Sequence, residues 1–117
     1  IAVHSFTSTY TGTDYRGFTA YRCKYVTFGY CVDIVNKTTK VAFAFQFSNG
    51  QVYQSIGSNK SAVVLAAYCG TVISYDNSAG TGNTIGLQAE TGATIGKRGT
   101  QPSATTAEFT QWGGAIR

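Results

Sequence analysis

The chain has 117 residues, of which 43% are hydrophobic and only 12% charged, and its formal net charge is +4. That size fits one domain with a core of its own, and the composition excludes a polybasic nucleic-acid tail and a membrane-inserted helix, for which no run of roughly 20 apolar residues exists. A surface poor in charge and rich in Ser, Thr, Asn, Gln, Gly and Tyr is expected of a secreted β-protein, and the lack of methionine, position 1 included, predicts that Ile1 is a processed mature end.

Ile1 to Thr11 alternates weakly and is rich in β-branched and aromatic residues, which predicts an edge strand, and Thr11-Gly12-Thr13-Asp14 predicts a turn. Over Phe18 to Val35 the alternation strengthens. Tyr21, Cys23 and Tyr25 share one face, and Phe28, Tyr30, Val32 and Ile34 share a face of a second strand after a bend near Thr27-Phe28-Gly29. Beyond the polar Asn36-Lys37-Thr38-Thr39, a strand is expected in which Val41, Phe43, Phe45 and Phe47 point one way and Ala42, Ala44 and Gln46 the other. Alanines on the second face predict that something packs there too, a helix or a neighbouring subunit. Ser48-Asn49-Gly50 predicts a type I′ hairpin turn, with Gln51 to Ile56 as the returning strand.

Ser58 to Tyr75 is the one stretch where helix and strand signals adjoin. Ser58 or Asn59 can cap a helix, Ala62 to Cys69 form a compact apolar run, and Gly70 suits a left-handed stop. One short helix is therefore expected over Ala62 to Cys69, then a strand over Thr71 to Tyr75. Asp76 to Asn83 predicts a loop, Thr84 to Ala89 a strand and Glu90-Thr91-Gly92 a turn. Residues 97–117, which hold the only proline and the only tryptophan, form an expected C-terminal arm, docked on the domain of residues 1–96 or on a neighbouring subunit, with Phe109 and Trp112 at the interface. No internal repeat stands out.

This order of elements predicts a mainly β fold with one short helix, an OB-like barrel or a small α+β roll, with a β-sandwich as the alternative. A helix, Gly70 and then Thr71-Val72-Ile73-Ser74-Tyr75-Asp76 resembles, in its cadence, the B subunits of pentameric bacterial toxins, whose barrel binds host glycans. The resemblance covers fewer than about 25 residues and implies a fold, not a binding site.

Catalytic signals are weak. His4, the only histidine, has no carboxylate or cysteine near it in sequence, and Asp14, Asp33, Asp76, Glu90 and Glu108 are scattered, so no enzymatic activity and no cofactor are expected. Cys23, Cys31 and Cys69 lack a CxxC spacing, which argues against a metal site; one disulfide, in any of the possible pairings, plus one free thiol is the simplest expectation. Asn36 and Asn59 begin glycosylation sequons.

Binding has more behind it. Eight tyrosines each offer a flat apolar ring and a hydroxyl, the combination that stacks on sugar rings and bonds their hydroxyls. The ligand-binding candidates are Tyr10, Asp14, Tyr15 and Arg16 in the first loop, and Asp76 and Asn77 after the strand that follows the helix. Arg16, Arg22 and Lys24, interleaved with Tyr10, Tyr15, Tyr21 and Tyr25, would also suit stacked bases, but the low charge and secreted character count against nucleic acid. The expected function is a secreted carbohydrate- or cell-surface-binding, lectin-like module, homo-oligomeric, with glycans as partners. A self-assembling extracellular filament subunit ranks second and a small secreted toxin or nuclease third.

Overall fold

The computed structural model describes residues 1–9, 16–35 and 40–117. Its strands are β1 (Ala2–His4), β2 (Arg16–Tyr21), β3 (Val26–Gly29), β4 (Val32–Asp33), β5 (Val41–Gln46), β6 (Gly50–Tyr53), β7 (Ile56–Gly57), β8 (Ala62–Ala67), β9 (Thr71–Tyr75), β10 (Ile85–Glu90), β11 (Thr94–Arg98), β12 (Thr106–Gln111) and β13 (Ala115–Ile116). Every pairing among them is parallel. They form three sheets, in the orders β1-β3-β6-β9-β11-β13, β12-β10-β8-β5-β2 and β4-β7. Consecutive strands thus belong to different sheets, and each pairs with the strand one turn of the chain away. Phe18, Phe43, Val64, Leu87 and Glu108 stand in register at intervals of 21 to 25 residues. The chain is a β-solenoid, and each turn is one rung.

This architecture overturns the expected barrel, roll or sandwich and leaves no room for the helix, since no helix forms among the described residues. Ala62–Ala67 is instead β8, a strand buried at every position. Val64 and Ala66 face the main core, while Ala62, Leu65 and Ala67 pack with Val41 and Ala44 in a second buried cluster on the outer side of the same sheet. A parallel strand buried on both faces has no polar positions to mark its two-residue period, so its composition mimics an apolar helix. The second buried face predicted from the alanines exists, but Ala42 lies in the main core and only Ala44 in the outer cluster. With the helix gone, the likeness in cadence to the toxin B subunits has no structural basis.

The Asn49-Gly50 hairpin is also absent, because β5 and β6 belong to different sheets. The left-handed residue at that bend is Phe47, with φ 51°. Asn49 uses its side chain, accepting the Thr71 N–H at 2.9 Å and donating to the Lys24 carbonyl at 3.3 Å. Gly50 answers a steric need, since a Cβ there would overlap the Val26 carbonyl and press on the Phe45 ring. The repeat that the sequence hides is the rung itself. Residues 97–117 complete it, with β12 pairing on β10 and β13 on β11.

Between the two larger sheets the core runs from aromatic to aliphatic along the axis. Phe18 stacks on Phe43 at 5.1 Å, and Phe28 meets Phe43 and Phe45 at 5.9 and 5.4 Å, before Val52, Val64, Val72, Leu87 and Ile95 take over. Toward the C-terminal end of the coil the inward rows turn polar. Ser74 and Lys97 continue the row of Phe28 and Val52, and Glu108 continues that of Leu87. The Lys97–Glu108 ion pair, partly exposed, closes that end. A second pair lies deep inside, with Lys60 Nζ donating to Asp33 Oδ1 at 2.8 Å and to the Val35 carbonyl at 2.9 Å, both side chains almost wholly buried.

Candidate functional site

A solenoid of this kind needs a sharp bend wherever a strand leaves one sheet for the next, and two corners make it with stacked residues of positive φ. At the first, Arg22, Phe47, Tyr68, Thr91 and Trp112 follow the registered residues Tyr21, Gln46, Ala67, Glu90 and Gln111, with φ between 49° and 57°. At the second, Ser5, Tyr30, Gln54, Asp76 and Gly99 follow His4, Gly29, Tyr53, Tyr75 and Arg98. Non-glycine residues in this region cost roughly 1–2 kcal/mol each, so every rung sets that cost against its ladder hydrogen bonds. After three of these bends a short side chain turns inward and takes up a backbone N–H. Ser48 Oγ accepts from Cys23 N–H at 2.9 Å, Ser55 Oγ from Cys31 N–H at 3.0 Å, and Asn77 Oδ1 from Ser55 N–H at 3.0 Å.

The first corner points large side chains at solvent. Phe47 and Tyr68, on adjacent rungs, stack with centroids 4.9 Å apart and planes 10° from parallel. Tyr21 meets Phe47 edge-on at 6.0 Å, and the Arg22 guanidinium sits 5.3 Å from the Tyr21 centroid and 5.5 Å from that of Phe47. Trp112 is 71% exposed, and Tyr21, Phe47 and Tyr68 are also exposed. Beside this row, Glu90 Oε2 accepts from the side-chain amides of Gln88 at 3.0 Å and Gln111 at 2.6 Å. A carboxylate held by two amides thus adjoins Thr91 and Trp112. Such a surface can stack flat rings and accept hydrogen bonds from hydroxyls.

The second corner is more polar. Tyr30, Gln54, Asp76 and Ser78 line an open groove of about 430 Å³. Asp76 Oδ1 accepts the Thr100 N–H at 3.0 Å. Above the groove, the Tyr53 hydroxyl lies 3.0 Å from His4 Nε2, reaching it across Gly29, where a Cβ would collide with the Tyr53 ring. Among the described residues the ring neighbours of His4 are Tyr30 and Tyr53.

Of the ligand-binding candidates, Tyr10, Asp14 and Tyr15 fall outside the described residues, as does Asn36, and Arg16 begins β2, half-buried. Asp76 lines the groove. Asn77 is wholly buried, its amide donating to the Val52 carbonyl at 3.0 Å and to Ser74 Oγ at 2.9 Å, so it holds the fold and presents nothing to a ligand. Phe109 and Trp112 sit exposed on the last rung. The three cysteines carry free thiols. Cys23 and Cys69 follow Arg22 and Tyr68 in one row with Ser48 between them, so two strand spacings, roughly 9.6 Å, separate them, beyond the ~7 Å Cα reach of a disulfide. Cys31 belongs to the other corner. The described residues bring together no cluster of His, Cys, Asp or Glu suited to a metal ion.

Phe47, Tyr68 and Thr91 were not among the candidates. Their signal is a bend residue followed by a small one, Arg22-Cys23, Phe47-Ser48, Tyr68-Cys69, Thr91-Gly92 and Trp112-Gly113, recurring once per rung, with a large side chain at every bend but Thr91. Compared with protein-family models, curated proteins and solved structures, the chain matches none.

Proposed function

We propose that the protein is a carbohydrate-binding, lectin-like module that works outside the cell and engages glycans along the first corner. The observation that carries this reading is the row Arg22, Phe47, Tyr68, Thr91 and Trp112, whose aromatic members are exposed and whose backbone is tied rung to rung. Rings held on a ladder lose little freedom on binding, and the neighbouring Gln88, Glu90 and Gln111 supply amide and carboxylate groups for sugar hydroxyls. The test is a glycan array read with the native protein and with Tyr68→Ala and Trp112→Ala. The reading expects a defined set of glycans bound by the native chain and lost in both variants; an array with no signal ends it.

The second reading, a self-assembling subunit, draws on the exposure of Phe109 and Trp112 on one terminal rung. Light scattering on the native protein and on Trp112→Ala separates the two. An oligomer that dissociates on substitution favours assembly through that rung, and a monomer in both cases leaves the glycan reading alone.

A further inference from the structure

Within the first corner the ring ladder is interrupted once. Adjacent rungs of a parallel sheet lie about 4.8 Å apart, and the stacking of Phe47 on Tyr68 at 4.9 Å follows that spacing. Tyr68 and Trp112 are two rungs apart, so roughly 9.6 Å separates their positions. Only the half-buried Thr91 stands between them. The Tyr68 face away from Phe47 is turned toward this gap, and Trp112 has no aromatic partner among the described residues. Aromatic rings stack at centroid distances of about 4.5–7 Å, so a single ring set midway, about 4.8 Å from each wall, touches both.

The rim of the gap sets the chemistry of the occupant. Glu90 stands beside Thr91, its Oε2 fixed by two amide donors and its Oε1 open to further donors. A carboxylate accepts hydrogen bonds from hydroxyls and repels phosphates and uronates. Resting on the glycan reading above, we infer that the notch over Thr91 holds one pyranose ring of a neutral glycan, sandwiched between Tyr68 and Trp112, with ring hydroxyls donating to Glu90.

Trp112 is the only tryptophan in the chain, so its emission reports on the notch directly. The full chain is titrated with cellohexaose, maltohexaose, mannohexaose, chitohexaose and an acidic hexagalacturonate. A neutral hexasaccharide is expected to shift Trp112 emission to the blue in a saturable way. Thr91→Phe fills the notch with a ring at the ladder spacing, and it is expected to keep the melting temperature while weakening that sugar at least tenfold; Glu90→Ala, read by calorimetry, is expected to weaken it by a similar factor. Native-strength binding by a folded Thr91→Phe or by Glu90→Ala, or hexagalacturonate bound as tightly as the neutral chains, overturns the notch and leaves the glycan module standing. If the native protein binds no sugar in titration or on the array, notch and module fall together.

Discussion

At the corner that carries Phe47 and Tyr68, the left-handed residues are mostly aromatic and two of their rings stack at the surface; at the corner that carries Gln54 and Asp76 they are mostly polar, and the residues that follow, Ser55 and Asn77, are buried and hydrogen-bonded. The backbone device is shared, and the chemistry of the left-handed side chains differs. The flank after the second corner invests its polar groups inward, where Ser55, Asn77 and Asn83 are hydrogen-bonded and Gln101 Oε1 is left without a partner. The first corner invests aromatic area outward, where it contributes little to folding. On the proposed glycan reading, stability and recognition are divided between two sides of one coil, and each can be altered with little effect on the other.

Substitutions can test that division. Lys60→Ala strands a buried carboxylate and is expected to lower unfolding free energy by about 3–5 kcal/mol, measured by urea denaturation; a loss below about 1 kcal/mol would mean that the pair is solvated. Asn77→Ala removes the acceptor for Ser55 N–H and the donor to Val52 and Ser74, with an expected loss of about 2–3 kcal/mol in the same assay. Arg22→Ala gives up two exposed cation–π contacts and should cost about 0.5–1 kcal/mol. Trp112→Ala should change stability by no more than about 0.5 kcal/mol while abolishing array binding. A Trp112→Ala protein as destabilised as Asn77→Ala would show that the exposed corner also holds the fold together.

Much of the strand pattern was legible. The expected strand over Thr71 to Tyr75 is β9, that over Thr84 to Ala89 is β10 within a residue, and the strong alternation after Lys40 is β5. What could not be read was how strands pair. A hairpin announces its partner through the turn that joins them, whereas here Val64 pairs with Phe43 and Leu87, more than twenty residues away on either side. Loops of unequal length blur that interval, and Asn49-Gly50, a strong hairpin signal, serves as a polar brace and a close approach. The helix over Ala62 to Cys69 failed for a related reason, since burial on both faces erased the alternation that separates strand from helix. Asp76 stands out in the sequence as a loop carboxylate, and it lines the groove at the second corner; Phe47 and Tyr68 do not stand out, because aromatic residues at the ends of strands look like core.

The spiral connection of the rungs also decides how the molecule responds to force. Every rung is hydrogen-bonded to its neighbours along one axis, so tension applied between Ile1 and Arg117 loads the rungs in series. The terminal ones hold on by one face only and peel first, each releasing a loop of 21 to 25 residues before the next is loaded. The chain should therefore lengthen in steps and not by a single rupture. The last rung, which carries Trp112 and Glu108, would detach early, breaking the Lys97–Glu108 pair and taking one wall of the proposed notch with it.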